Sequence, residues 1–375
     1  MERLALLGPS WPFRGGIART TTALAQVLLA RGQLRLFLVP QEQYPRWLYP
    51  GAQDRDENAC PRLPQAEACF SLFHPTSWRN VKKRLVEEAI TTLIVPIWTA
   101  TWVPLIFYIA ASVKHLLCIV HNPHDHEATF WSKALTGKLL GRAQGFLTHA
   151  RSVAWHLASR FPHIPLAVHP LPPLPAPVTA REEARQLLGI PKEAVTFLYF
   201  GLIRPYKGVE VLLAAFRRLP RDLPAFLLLA GEAWEEKRKL EALLRASELA
   251  GRVRAELAWV PEERAGLWFS AADVAVLPYL RATGSAVAAQ AMAYGLPILG
   301  SQVGGIADVV RDEESGLLVA PGDPDLLASA LIRLCEPELR RKLAEQAQAQ
   351  GKNLSWEGYA DALLSLCPKM AQQKE

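Results

Sequence analysis

At 375 residues, 50% of them apolar and 21% charged, the chain exceeds the roughly 250–300 residues at which one hydrophobic core stops growing, and its lack of low-complexity tracts excludes a largely disordered protein. The five cysteines (Cys60, Cys69, Cys118, Cys335 and Cys367) are odd in number and include no CxxC pair, so neither a disulfide framework nor a thiolate zinc site is indicated, which suits a reducing, cytoplasmic location. The net charge of +6 is uneven, with 18 basic against 10 acidic residues and all nine histidines in residues 1–170, then 24 against 26; an anionic partner such as phosphate or a membrane surface is expected, and nucleic acid is not, since no recognised binding motif appears.

The opening "MERLALLGPSWPFRGG" reads as one short strand broken by glycine and proline, without the continuous apolar core of a signal peptide. A helix over Ile17 to Ala30 and a strand at "LRLFLVP" follow. The stretch "SWRNVKKRLVEEAI" predicts a helix with Trp78, Arg79, Lys82 and Lys83 near one side, a face suited to anionic lipid. Equally, it suits a solvated surface on which Lys83 and Arg84 pair with Glu87 and Glu88. Ile90 to Val113 is uncharged and nearly membrane length, but Pro96, Pro104 and its threonines favour a buried strand (Thr91 to Ile97) turning into a buried helix (Thr101 to Val113). Strands at "HLLCIVH", "QGFLTHA" and "PLAVHP", with a helix over Ser152 to Phe161, complete a first α/β series.

The proline-rich "HPLPPLPAPVTAREEA" cannot join a sheet interior and marks an interdomain linker over residues 173–190. A second series then runs through strands at "VTFLYFG", "FLLLAG", "VRAELAWV", "VAVLP", "PILGS" and "GLLVAP". Its helices include Gly208 to Leu219, Glu235 to Ser247, Pro261 to Ala272 and Ser285 to Tyr294. Both series predict doubly wound parallel sheets, and "LSWEGYADALLSLCPKM" adds an amphipathic helix that the second sheet does not need.

Three loops carry chemistry. Gly15 and Gly16 stand between the first strand and its helix, where a backbone without Cβ atoms and a helix N-terminus suit an anion; the pattern is not GxGxxG. In "FGLIRPYKGVEVLL", a strand ends at Gly201, and Arg204 and Lys207 precede the next helix, a pairing suited to a diphosphate. Thr283, Gly284, Ser285 and Ala286 open another helix after "VAVLP", and Gln290 is the strong polar group within it, suited to a ribose hydroxyl. "HNPHDHE" (residues 121–127) holds three histidines, but no ordered metal signature accompanies it, and it reads as a ligand-facing loop at a strand end.

Together the "RGG" loop, "GLIRPYKG", "LLLAGE", "AADVAVLPY", "AMAYGLPILGSQVGGIADVV" and "SGLLVAPGDPDLLASAL" resemble the retaining family 4 glycosyltransferases of GT-B fold. The resemblance spans nearly all of the second series and rests on the glycine loop and "IVHN" in the first. It implies an α/β chain with two Rossmann-like domains facing across a cleft. These are an acceptor-side domain at 1–172, completed by a crossing helix at 355–375, and a nucleotide-sugar domain at 191–354. It implies Arg204, Lys207 and His121 as catalytic residues. The donor contacts would be Gly15, Gly16, Gly201, Glu232, Thr283, Gly284, Ser285, Ala286 and Gln290, with Arg14, His126 and Glu127 on the acceptor side.

The family's paired glutamates are here Ala282 and Gln290. The implied activity is retaining transfer from a nucleoside-diphosphate sugar to a hydroxyl of a glycan or lipid-linked saccharide, without a protein nucleophile, cofactor or divalent metal. The expected location is cytoplasmic, peripheral at the inner face of an anionic membrane. A degenerate nucleotide-sugar-binding protein or partner subunit is the alternative that Ala282 motivates; an epimerase of the same fold would need acidic residues near the sugar.

Overall fold

A computed structural model of the chain describes residues 2–42, 54–56, 63–122, 130–233 and 237–367. The chain forms two compact units: Met1–Leu171 together with Ser355–Glu375, and Pro172–Leu354.

The first unit contains strands β1 (Leu4–Leu7), β2 (Leu34–Pro40), β3 (Ala66–Phe70), β4 (Thr92–Ile97), β5 (His115–Val120), β6 (Gly145–Thr148) and β7 (Leu166–Val168). They make one parallel sheet in the order β3-β2-β1-β4-β5-β6-β7. Helices α1 (Gly16–Ala30), α2 (Trp78–Glu87), α3 (Val103–Ala110), α4 (Phe130–Leu140) and α5 (Arg151–Arg160) connect the strands. Every residue of β4 is buried, as parallel strands covered on both faces require. The uncharged run at 90–113 is thus a buried strand followed by a shorter helix than expected, Val103–Ala110, and no helix among the described residues is long and apolar enough to cross a membrane. Edge strand β3 was not anticipated; "AEACF" is mostly half-buried and lacks an apolar run.

The second unit opens with α6 (Arg181–Leu187) and continues β8 (Val195–Phe200), α7 (Val209–Arg217), β9 (Ala225–Ala230), α8 (Lys237–Leu244), β10 (Val253–Glu256), α9 (Glu262–Ala271) and β11 (Val274–Leu277). Next come α10 (Ala286–Ala293), β12 (Ile298–Ser301), α11 (Gly304–Val309), β13 (Gly316–Val319), α12 (Pro324–Arg333) and α13 (Pro337–Gly351). The strands form a second parallel sheet, β10-β9-β8-β11-β12-β13. Leu212, Phe216, Trp268 and Met292 seal its faces; complete burial of such side chains stabilises by about 1.5–3 kcal/mol each for the aliphatic and Phe cases.

The expected linker is shorter than residues 173–190, because Arg181–Leu187 is a helix of the second unit. Buried Arg185 anchors it, donating to Thr196 Oγ1 at 3.0 Å, to Asp273 Oδ2 at 3.3 Å and to the Ala194 carbonyl at 2.6 Å. The preceding irregular segment lies along the same unit. Its Leu174 N–H donates to Gln290 Oε1 at 2.9 Å, its Thr179 N–H to Ser270 Oγ at 3.2 Å, and its Pro177 carbonyl accepts from the Tyr294 hydroxyl at 2.9 Å.

Helix α14 (Trp356–Leu364) closes the first unit. Ser355 caps it by accepting from the Gly358 N–H at 3.0 Å, and Trp356, Tyr359, Leu363 and Leu364 are buried. Arg31 at the end of α1 donates to Asp361 at 2.7 Å. The surplus amphipathic helix therefore serves the first sheet.

Candidate functional site

In each open parallel sheet the strand order reverses at the first strand of its unit, and ligands bind outside the carboxyl ends of strands at such switch points. In the second unit the reversal lies between β8 and β11, and the residues singled out there converge from several loops. Gly201 (φ 111°) and Gly231 (φ 153°) end β8 and β9 with their backbones in contact, since a Cβ on Gly231 would lie 1.9 Å from the Gly201 carbonyl oxygen. The Ile203 N–H donates to the carbonyl of Glu232 at 2.9 Å, so Glu232 abuts the loop that carries Arg204 and Lys207. That loop turns at left-handed Gly208, whose own Cβ would meet the Pro278 carbonyl at 1.9 Å, and Leu280 donates its N–H to the Tyr206 carbonyl at 2.8 Å. The loops after β8 and β11 are thereby laced together.

Lys207 Nζ stands 3.8 Å from the ring centroid of Tyr279, a cation–π contact that positions a half-buried ammonium at the end of β11. The Tyr279 hydroxyl is buried without a hydrogen-bond partner among the described residues. Thr283 to Ser285 lead into α10, and Gly201 faces its first turn, 3.7 Å from Val287 Cγ2 when a Cβ is placed on the glycine. Ser285 is the N-cap, its Oγ accepting from the Ala288 N–H at 3.2 Å. Gly305 backs this loop from α11, with its N–H directed to the Ala282 carbonyl at 3.3 Å. Gln290 is not free for a ligand at Oε1, which accepts from Leu174; its amide nitrogen retains donor capacity. Tyr279 and Gly305 were missed as site residues although both lie within quoted motifs, because their contacts cross from one strand end to another.

In the first unit Gly15 (φ 117°, ψ 158°) precedes α1, and among the described residues nothing beyond the chain neighbours lies within 4 Å of a Cβ placed on Gly15 or Gly16. Arg14 is half-buried and its N–H donates to the Asp54 carbonyl at 2.8 Å, bracing the glycine loop. His121 follows β5, two strands along from β1. Its Nδ1 lies 3.1 Å from Nε2 of His149, which follows β6 and is buried. His149 Nδ1 faces the His169 carbonyl at 3.4 Å, and Tyr359 of α14 stacks on His149 with ring centroids 5.7 Å apart. Burial, with His149 beside it, pushes the His121 pKa well below 6.5, and burial lowers that of His149 to about 4. Both rings are neutral at pH 7. His149 was not anticipated; the signal is the register pairing of Val120 with Thr148, which sets the two histidines at equivalent strand ends.

His126 and Glu127, with most of "HNPHDHE", lie outside the described residues. Among the described residues no group of three His, Cys, Asp or Glu side chains is placed to hold a metal. On α2, Trp78 is turned into its own fold: its indole N–H donates to the Ser71 carbonyl at 3.0 Å. Lys83 pairs with Glu87 at 3.6 Å and Arg84 with Glu88 at 3.5 Å, as the charge spacing predicts, and Arg84 also pairs with Glu67 at 2.8 Å. Arg79, Lys82 and Lys83 remain exposed.

Two Rossmann-like α/β units define a GT-B fold, as the sequence resemblance implied. The chain resembles sucrose-phosphate synthase from Thermosynechococcus elongatus over 99% of its length and 100% of that chain, with a TM-score of 0.77 at 18% identity. Anabaena HepE in complex with UDP-glucose is similar over 98% of this chain and 99% of that one, with a TM-score of 0.72 at 15% identity. Residues 180–350 match the family model described as "Glycosyl transferases group 1". The D-inositol 3-phosphate glycosyltransferase of Xylanimonas cellulosilytica is 34% identical over 208 residues, 54% of this chain and 49% of that protein. That of Thermomonospora curvata is 35% identical over 195 residues, 49% and 45% respectively. The chain thus spans about half the length of the curated relatives it matches.

Proposed function

We propose that the chain is a retaining, family 4 glycosyltransferase that moves a sugar from a nucleoside-diphosphate donor to a hydroxyl of a glycan or lipid-linked saccharide. One observation carries the reading: the Arg204–Lys207 loop, the Gly201 strand end and the N-terminus of α10 meet at the switch point of the second sheet. There Arg204, Lys207 and the free amides at Gly284 to Ala286 neutralise the departing diphosphate, the electrostatic contribution that usually dominates such catalysis. Glu232, Thr283, Ser285 and the Gln290 amide nitrogen complete the donor contacts, and the resemblance assigns Gly15, Gly16 and His121 of the first unit's loops to the diphosphate and the transferred sugar. The acceptor proton goes to a diphosphate oxygen, so no side-chain base or metal is assigned. Arg14, His126 and Glu127 serve the acceptor, and exposed Arg79, Lys82 and Lys83 of α2 favour peripheral contact with an anionic membrane at the cytoplasmic face.

Ala282 supports a second reading, a nucleotide-sugar-binding protein without turnover, because alanine supplies no charge where the resembled family carries its first glutamate. Thermal unfolding with UDP, GDP, ADP and their sugar conjugates, with and without EDTA, tests the site; ligand at 100 times its Kd adds about 2.7 kcal/mol. Stabilisation by one nucleotide that persists in EDTA is expected. Release of free nucleotide from the matching conjugate, with product anomeric configuration followed by NMR, separates the transferase from the binder. No stabilisation by any nucleotide would refute both readings.

A further inference from the structure

His149 is buried and has no role in the function proposed above. Its surroundings nonetheless dictate which nitrogen of His121 carries a proton. The carbonyl oxygen of His169 can only accept, so Nδ1 of His149, 3.4 Å away, must hold the proton for that contact to be favourable. The carbonyl is fixed in place, because the His169 N–H donates to Thr148 O at 2.9 Å and its ring Nδ1 donates to Pro170 O at 2.7 Å. Tyr359 stacks on His149 and meets His169 edge-on, holding both rings.

A neutral ring protonated at Nδ1 has its lone pair at Nε2. That lone pair faces His121 Nδ1 at 3.1 Å, so His121 must donate there. Neutral His121 is then left with a lone pair at its own Nε2, which has no hydrogen-bond partner among the described residues. The opposite assignment, with His149 protonated at Nε2, would set two lone pairs against each other at the His169 carbonyl.

We propose that His149 is a positioning residue: relayed from the His169 carbonyl, it locks His121 in the tautomer that presents Nε2 as a hydrogen-bond acceptor to a hydroxyl of the transferred sugar. The wiring itself follows from the first unit alone, whereas its use rests on the glycosyltransferase reading. A consequence for substrate class is that the sugar offers a hydroxyl hydrogen at this position, so a deoxy or O-methyl analogue loses the contact.

The full chain labelled with ¹⁵N-histidine reports the tautomers directly, with the His121 signals assigned by their loss in His121→Gln. Pyrrole-type Nδ1 and pyridine-type Nε2 shifts are expected for both His121 and His149; a protonated Nε2 on His121 overturns the proposal without reference to activity. His149→Phe removes the acceptor, so the His121 spectrum should move away from the Nδ1–H tautomer. His149→Gln, whose amide can both accept from His121 and donate to His169, should preserve it.

Affinity for the sugar nucleotide identified by the thermal panel should fall roughly tenfold in His149→Phe and recover in His149→Gln, while affinity for the matching nucleoside diphosphate, lacking the sugar, stays unchanged. Equal behaviour of the two variants in both measurements overturns the relay. An intact relay with sugar-nucleotide affinity unaffected by His121→Ala overturns the sugar contact. Absence of nucleotide binding by the wild type refutes the glycosyltransferase reading, and the tautomer measurement alone then decides the wiring. Should His149→Phe fail to fold, the wild-type spectrum still decides the tautomer.

Discussion

Replacing Gly305 by alanine tests whether the loop before α10 holds a diphosphate. A Cβ at this position would lie 2.7 Å from both Cα and N of Gly284, and 2.9 Å from the Thr283 carbonyl carbon. These are backbone atoms that cannot rotate aside, so the loop must retreat by roughly 0.7 Å to reach an ordinary 3.4 Å contact. Overpacking of this kind costs about 1–3 kcal/mol, and the better helix propensity of alanine returns up to about 1 kcal/mol. The net loss of up to about 3 kcal/mol corresponds to a fall in Tm of no more than about 12 °C for a unit of this size. Binding suffers more than folding, because amides aimed at a charged ligand lose bonds of about 1.5–3 kcal/mol when displaced. Calorimetric titration with the nucleoside diphosphate that stabilises the wild type should show affinity weakened about ten- to hundredfold. If Gly305→Ala binds within twofold of wild type, the Thr283–Ala286 loop is not the diphosphate site.

Tyr279→Phe keeps the aromatic face under Lys207 and removes a buried, unpartnered hydroxyl, so nucleotide affinity should hold and stability should not fall; Tyr279→Leu should weaken binding by about tenfold, read in the same titration. Asp273→Ala strips the carboxylate from buried Arg185 and from the Thr196 N–H, which it accepts at 2.8 Å, and should cost about 3–5 kcal/mol in chemical denaturation; a loss below about 1 kcal/mol would show that the surrounding carbonyls suffice. Acid should destabilise the first unit through His149. Its folded pKa of about 4 lies below the ordinary 6.5, so its contribution is complete above pH 6.5 and is lost as pH falls toward 4, by up to about 3 kcal/mol. Denaturation midpoints measured across that window should show a shallower slope in His149→Gln, and an unchanged slope would refute the assignment.

Much of the fold is legible because central parallel strands are covered on both faces and so read as uninterrupted apolar runs, as in β4, β5 and β9. At the sheet edge, where most positions are only half-buried, the signal fails, which is why "AEACF" escapes notice. Helix α6 is concealed differently: a run of prolines just ahead suggests a continuing linker, and buried Arg185 reads as a surface residue until Asp273 and the carbonyls around it are located. Within the candidate site, glycines at strand ends announce themselves by interrupting an apolar run. Tyr279 beneath Lys207, Gly305 behind Gly284 and His149 behind His121 do not, since each acts across the sheet and becomes visible only with strand order and register.

The docking of α14 onto α1 and β6 sets an order on the birth of the protein. Ribosomes deliver the chain from its N-terminus, yet the first unit lacks Trp356, Tyr359 and Leu363 of its core until the contiguous second unit, Pro172–Leu354, has been made. At about 5–20 residues per second, that interval is roughly 10 to 40 s. At its end the second unit has its complete sequence to fold with, while throughout it the first must hold an unfinished apolar face beside His149. The half of the chain synthesised first is therefore the half completed last, and the period before α14 emerges is when a nascent-chain chaperone would have an exposed surface to bind.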